Sequence, residues 1–213
     1  MSTPLRRVFH ACCRVALLAG GLAVAGAGHA DTLFTAILTN DQEVPPATVG
    51  GRPASFGTAT FTLDDTQTAL SFSAEVHNID FTGTQTADPL DDLVSAHIHG
   101  APAGSVGPVL WGFFGTPMND NNPADVVVTP FASGVGGTVT GTWNAPEGNN
   151  TTLTAQLPAL LAGNTYINFH TVEFPAGEIR GQIARVPEPG PLALVGLGLV
   201  GLLAGRLRAQ RST

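Results

Sequence analysis

The chain has 213 residues, no lysine and only two cysteines, Cys12 and Cys13. Both cysteines precede residue 31, so the middle of the chain can form neither a disulfide framework nor a thiolate site. Residues 31–185 contain three arginines against fifteen carboxylates, a net charge of −12 with neutral histidines, which argues against a nucleic-acid partner.

The first thirty residues are typical of a secretory signal peptide. A basic head is followed by the apolar run Val15–Ala27 and by the small-residue end Gly28–Ala30. The apolar run is short for a full membrane span, which favours a cleaved export signal over a permanent anchor. We therefore predict a signal peptide over residues 1–30, removed after Ala30 by signal peptidase.

From residue 31 onward, short alternating runs predict β-strands. Every second side chain is apolar in Leu70–His77, as a half-buried strand requires. The same pattern recurs in Gly57–Leu63, Gly137–Trp143 and Thr165–His170. Only Leu157–Ala162 suggests a helical turn. Residues 31–185 are therefore predicted to form one all-β domain, an antiparallel sandwich or barrel, with hydrophobic helices confined to the termini.

Polar motifs mark four places in this domain: Asn40–Pro46, His97–Gly104 with Gly107–Val109, Tyr166–Thr171 and Gly177–Gln182. In combination they resemble the CHRD (chordin-repeat) domain over nearly all of residues 32–184. The resemblance implies an immunoglobulin-like or superoxide-dismutase-like β fold. It also implies a non-catalytic binding or structural module outside the cell, with cell-surface or extracellular matrix components as partners.

Three histidines are candidate metal ligands. His97 and His99 are two apart in a predicted strand, so both imidazoles point to one face, about 7 Å apart at the backbone. His170 ends a second strand, on which Tyr166 and Asn168 share its face. A third imidazole can therefore converge on the first two and bind Cu or Zn with one coordination position open.

The same order of residues is similar to the copper side of copper/zinc superoxide dismutases. This resemblance implies that His97, His99 and His170 ligate copper and that Arg180 guides superoxide to the metal. The chain has no match for the zinc-binding loop of those enzymes, so no catalytic residue is assigned. The alternative is structural: the histidines bond loop carbonyls, and Glu178 with Arg180 forms an ion pair that clamps the last strand.

Two acidic segments, 84–92 and 117–125, are predicted as the longer loops. Asp88, Asp91 and Asp92 offer oxygen ligands that suit calcium, as do residues 119–125, but neither segment has the EF-hand spacing. We interpret both as solvated loops.

Residues 186–213 combine the parts of a membrane sorting signal. Pro187, Glu188 and Pro189 precede the apolar run Leu192–Ala204, and arginines follow it. This order resembles the PEP-CTERM signal of Gram-negative bacteria, whose tail an exosortase removes near the Pro-Glu-Pro motif. Because basic residues beyond a span stay cytoplasmic, we predict export across the inner membrane, transient anchoring through segment 191–205, and release to the cell surface or exterior. A permanent anchor is the alternative.

Overall fold

The computed structural model describes residues 30–187 of the chain. Most of the predicted signal peptide, Glu188 and Pro189 of the sorting motif, and the predicted membrane segment 191–205 lie outside these residues. Within the described range, no helix is long and apolar enough to span a bilayer.

The described residues form ten strands and one α-helix. The strands are β1 (Thr32–Thr39), β2 (Phe56–Leu63), β3 (Ala69–His77), β4 (Leu93–Gly100), β5 (Val109–Phe114), β6 (Val127–Pro130), β7 (Gly136–Asn144), β8 (Thr165–Thr171), β9 (Ile179–Gln182) and β10 (Ala184–Arg185). The helix α1 is Leu153–Leu161, and short 3-10 turns lie at Asn40–Gln42, Pro89–Asp91 and Pro123–Asp125. The predicted, predominantly β architecture is confirmed.

Helix α1 begins four residues before the helical turn that the sequence suggested. The hydroxyl of Thr152 accepts a hydrogen bond from the backbone N–H of Ala155, 3.1 Å away, and so satisfies one of the free donors at the helix start. Leu153 and Leu160 are buried in the core. The helix, which follows β7 and precedes β8 in the chain, therefore packs one apolar side against the core.

The strands form one antiparallel sheet in the order β5-β4-β8-β9-β1-β2-β3-β7-β6, with β10 paired to β1. The sheet curls into a half-barrel, so its two ends face each other across the core. Trp111 of β5 stacks on Trp143 of β7, with ring centroids 5.9 Å apart, and Phe72 of β3 lies 4.8 Å from Phe113. These rings form the centre of a single hydrophobic core.

The two halves of the sheet differ in how far their outer faces are exposed to solvent. On β3, Leu70 and Phe72 point to the core while Ser71 and Ser73 are exposed. On β8, by contrast, all seven residues are buried. Loops cover the outer face of β4, β8 and β9, so polar side chains there are held away from water and need partners.

Candidate metal site

Strands β4 and β8 are antiparallel neighbours whose outer faces carry the three candidate histidines. The register places His97 opposite Asn168 and His170 opposite Ser95, and His99 follows two residues after His97. All three rings are buried, and one ligand nitrogen of each lies within 4.8 Å of the other two. The structure therefore brings together the histidines that the sequence singled out.

Each ring uses one nitrogen to bond a backbone carbonyl in a covering loop. The bonds are each 3.1 Å long and run from His97 Nε2 to Thr116, from His99 Nδ1 to Gly107, and from His170 Nδ1 to Pro175. A carbonyl oxygen can only accept, so these three nitrogens carry the ring protons. This assignment of tautomers follows from the hydrogen-bond partners. The second nitrogen of each neutral ring then holds a lone pair.

These three lone pairs converge. His97 Nδ1 lies 3.2 Å from His170 Nε2, and His99 Nε2 is buried without a hydrogen-bond partner among residues 30–187. No proton is left to lie between His97 and His170, so the two lone pairs repel. A zinc ion 2.0–2.1 Å from two tetrahedrally arranged imidazole nitrogens would hold those nitrogens about 3.3 Å apart. The donor set therefore fits a three-histidine metal ion.

The surroundings favour the neutral imidazoles that metal ligation needs. Burial, followed by the neighbouring charges of His170 and His99, lowers the pKa of His97 to about 3. Burial and His99 lower the pKa of His170 to about 4, and burial also lowers the pKa of His99. All three rings are therefore neutral at neutral pH without a metal, each with a single ring proton.

Arg180 is a buried neighbour of this site. Its guanidinium donates to the carbonyl of Gln42 and, at 2.9 Å, to the carbonyl of Ser105. Its terminal carbon lies 4.7 Å from the centre of the Tyr166 ring, which in turn stacks on His99 at 4.9 Å between centroids. Arg180 therefore supports His99 through Tyr166 and ties two loops to β9.

Glu178 does not form the expected ion pair with Arg180. It pairs with Arg52, from the segment between β1 and β2, through two contacts of 2.8 Å, and it accepts a hydrogen bond from the hydroxyl of Thr171. Strand β9 begins only at Ile179. Glu178 thus lies in the preceding turn, where the alternation that placed it beside Arg180 does not apply.

Glu43 is a buried carboxyl group that the sequence did not mark as part of the site. The residue is 6 % exposed, and its Oε1 atom has no hydrogen-bond partner in the described part of the chain. Burial raises the pKa of Glu43 to about 7, against the opposing effect of the Arg180 charge. In the sequence, Glu43 is recognisable only as an acidic residue shortly before Pro45 and Pro46. That pattern does not indicate whether its side chain is buried.

The acidic loops are less solvated than predicted. Asp91 and Asp120 are buried, and carboxylate oxygens of Asp80, Asp91 and Asp92 lie within 4.8 Å of one another. Asp80 accepts from the backbone N–H groups of three residues in the same loop, and Asp88 caps the short turn that begins at Pro89. These carboxylates organise the loop backbone.

The chain matches the family described as CHRD domain over residues 34–183. That range holds the three histidines, Arg180 and Glu43. No curated protein and no solved structure gives a match, so the immunoglobulin-like or dismutase-like shape stays an expectation. Because the match covers well over half of the sequence, the chain belongs to the CHRD domain family.

Proposed function

We propose that this protein is an exported, non-catalytic binding or structural module in which His97, His99 and His170 hold one Cu or Zn ion. Membership of the CHRD family supports a non-catalytic module. The observation that carries the metal proposal is the 3.2 Å approach of two imidazole nitrogens whose ring protons are committed to loop carbonyls. A bound cation would relieve the repulsion between these lone pairs.

The carbonyl partners give the site a structural consequence. Gly107, Thr116 and Pro175 lie in three different loops, and each accepts the ring proton of one histidine. Such partners fix the orientation of the ligating ring and raise its basicity. A metal on the three rings would therefore tie β4, β8 and the loops that cover them into one unit.

Redox turnover of the superoxide-dismutase type is not part of this proposal. In that role Arg180 would attract an anion from solvent, but the residue is only 3 % exposed. Two of its donors are used by the carbonyls of Gln42 and Ser105, and its guanidinium lies over the Tyr166 ring. Arg180 is better explained as a structural neighbour of His99.

Metal content of the purified full chain tests the proposal. After growth with Cu and Zn and exhaustive dialysis, we expect elemental mass spectrometry to find about one Cu or Zn ion per chain. His97→Ala and His170→Ala should lose that stoichiometry, because two remaining ligands hold a metal poorly. His77→Ala is the matched control, since His77 lies on β3, is partly exposed and contacts Glu75. Wild-type protein without metal would overturn the proposal.

Export and sorting are the second half of the proposal. They are supported by the basic, apolar and small-residue order of residues 1–30 and by the Pro-Glu-Pro, apolar and arginine order of residues 186–213. Signal peptidase and an exosortase are the processing enzymes that this organisation calls for.

A further inference from the structure

The outer face of β1, β2, β3, β7 and β6 is an array of hydroxyl side chains, which we name the hydroxyl face. Eleven of its outward residues are serine or threonine, each exposed or partly exposed: Thr35, Thr39, Thr58, Thr60, Thr62, Ser71, Ser73, Thr129, Thr138, Thr140 and Thr142. Leu33, Ile37 and Val127 are exposed apolar residues on the same face. The strand register aligns them in rows. One row runs Thr35, Thr60, Ser73 and Thr140.

This face is nearly free of charge in a strongly acidic domain. Glu75 is the only aspartate, glutamate or arginine among the outward residues of the five strands, while residues 31–185 carry a net charge of −12. Threonine is common in strands because β-branched side chains suit a pleated surface. That preference explains the threonines, and the low strand propensity of aspartate and glutamate accounts for part of the shortage of carboxylates. The face is therefore hydroxyl-rich and close to neutral in a domain whose other carboxylates lie in turns and loops.

A stack of three rings closes one end of the hydroxyl face. Phe56 is 50 % exposed and stacks on His77 at 4.6 Å between centroids, nearly parallel. The His77 ring centroid also lies 4.9 Å from that of Phe131, with the two rings tilted by 38°, and His77 bonds the carboxylate of Glu75 at 2.9 Å. Phe56 thus leaves half of its surface open to a ligand at this end of the face. The stack therefore offers flat apolar surface next to a hydrogen-bonding carboxylate.

From these observations we infer that the hydroxyl face binds a neutral polysaccharide chain, with sugar rings packed on Phe56 and hydroxyls bonded to the threonine rows. The face spans five strands, about 19 Å at the usual strand spacing. An extended surface suits a polymer, whereas small molecules bind in concave pockets. The net charge of the domain repels an acidic polymer.

A second copy of the chain is a poorer occupant of this face. Serine and threonine are under-represented among the residues that dominate protein interfaces, and two domains of charge −12 repel each other. A neutral glycan has the complementary chemistry, because it presents hydroxyls along its edges and C–H groups on its ring faces.

Binding to the hydroxyl face is independent of the histidine site, which lies on β4 and β8. Its biological setting rests on the proposed export, but binding in solution does not. Loss of glycan binding in variants that still hold metal would therefore separate the two proposals.

Affinity electrophoresis of the full chain tests the inference. Native gels contain hydroxyethyl cellulose, dextran or galactomannan as neutral probes, and alginate as the acidic probe. We expect retardation by at least one neutral probe and none by alginate. Phe56→Ala and Thr60→Glu should each weaken the retardation at least tenfold, while Val106→Ala, an exposed apolar residue in the loop between β4 and β5, should leave it unchanged.

Circular dichroism and metal content check that each variant is folded. Absence of retardation in all three neutral gels would overturn the inference, as would retardation that survives both Phe56→Ala and Thr60→Glu. Equal binding to alginate would also overturn it. A dimer in light scattering that Thr60→Glu dissociates would instead make this face an interface between copies and reject the glycan.

Discussion

Glu178 shows how a single buried carboxylate joins distant segments of this chain. Its side chain is fully buried and contacts Arg52, Ser55 and Thr171, while its carbonyl accepts from the amide of Asn40. Removing one partner of a buried ion pair leaves the other charge uncompensated, which costs more than the pair contributed. Glu178 therefore holds the segment between β1 and β2 against the turn before β9.

We expect Glu178→Ala to lower the free energy of unfolding by about 3–5 kcal/mol. Among the described residues, the only carboxylate left to Arg52 would be that of Glu173, a partly exposed partner at 3.0 Å. Urea unfolding measures the loss. Glu75→Ala is the control, since it removes an exposed contact with His77 that should contribute about 1 kcal/mol or less. Equal losses in the two variants would contradict the central role of Glu178.

At the scale of the elements, local alternation predicted the strands well. The runs at 57–63, 70–77, 137–143 and 165–170 are β2, β3, β7 and β8, each extended by one or two residues. Alternation reports which side of a strand is buried, whatever strand lies beside it. The helix was found only in part, because Thr152 and Leu153 follow a run of asparagines and threonines that reads as a turn.

The spacing of His97 and His99 within one strand predicted part of the histidine site. The rest of the site depends on contacts between segments that are distant in the chain. His97 and His99 share a face because they are two residues apart, but His170 joins them only because β4 pairs with β8. Glu178 and Arg52 are 126 residues apart in the chain. No local pattern links them, since the loops that bring them together carry no periodicity.

The turn between β2 and β3 gives a pH-dependent prediction. Asp64 accepts from the backbone N–H groups of Thr68 and Ala69, at 2.6 and 2.9 Å, and from the hydroxyl of Thr66. Desolvation raises the pKa of Asp64, but these hydrogen bonds outweigh it and lower the pKa to about 2. The folded pKa lies below the unfolded value of 3.8, so the stabilisation is present above pH 3.8 and disappears as the pH falls toward 2.

Asp64→Ala should therefore lower the free energy of unfolding by about 1 kcal/mol at pH 7, a modest value because the turn is solvent-exposed. The difference from wild type should shrink between pH 4 and pH 2, as followed by urea unfolding at several pH values. Asp65→Ala is the control, because it removes the neighbouring carboxylate of the same exposed turn, and it should lower the free energy of unfolding at pH 7 by less. If the free energy of unfolding differed between Asp64→Ala and wild type by the same amount at every pH, the Asp64 carboxylate could not be the source of the stabilisation.

At the scale of the whole molecule, the outer face of the curled sheet has a covered part and an open part. Loops cover it over β4, β8 and β9, where the polar side chains are buried. Over β1, β2, β3, β7 and β6 it is open and hydroxyl-rich. Both parts share the same inner core, so a metal bound by the three histidines would stabilise the entire domain.

Zinc should accordingly raise the thermal midpoint of metal-free protein. A ligand that binds only the folded state at a hundred times its dissociation constant stabilises by about 2.7 kcal/mol. His97→Ala, folded but lacking one ligand, should show little or no shift, while His77→Ala should respond as wild type does. Scanning calorimetry with and without zinc makes the comparison. An equal shift in His97→Ala would place the zinc elsewhere.

The two ends of the domain bear on the predicted cleavage of the chain by signal peptidase and exosortase. Strand β1 begins at Thr32, just after Ala30, and β10 pairs with β1, so that the N–H of Val186 bonds the carbonyl of Leu33 at 2.8 Å. The fold thus uses the chain from Thr32 to Val186, and both predicted processing points lie outside that range in the sequence. Neither cleavage would remove a strand residue.

In a Gram-negative host with an exosortase, the mature protein should therefore begin at Asp31, end near Pro189 and keep its fold. Intact-mass measurement of the exported protein reads both ends at once. Replacing Pro187, Glu188 and Pro189 together with alanine should leave the amino-terminal cut in place and retain the tail, because only the sorting motif is changed. Retention of residues 192–213 in the unchanged chain would instead support the permanent anchor, with its short apolar segment accommodated by bilayer thinning or by its flanking arginines.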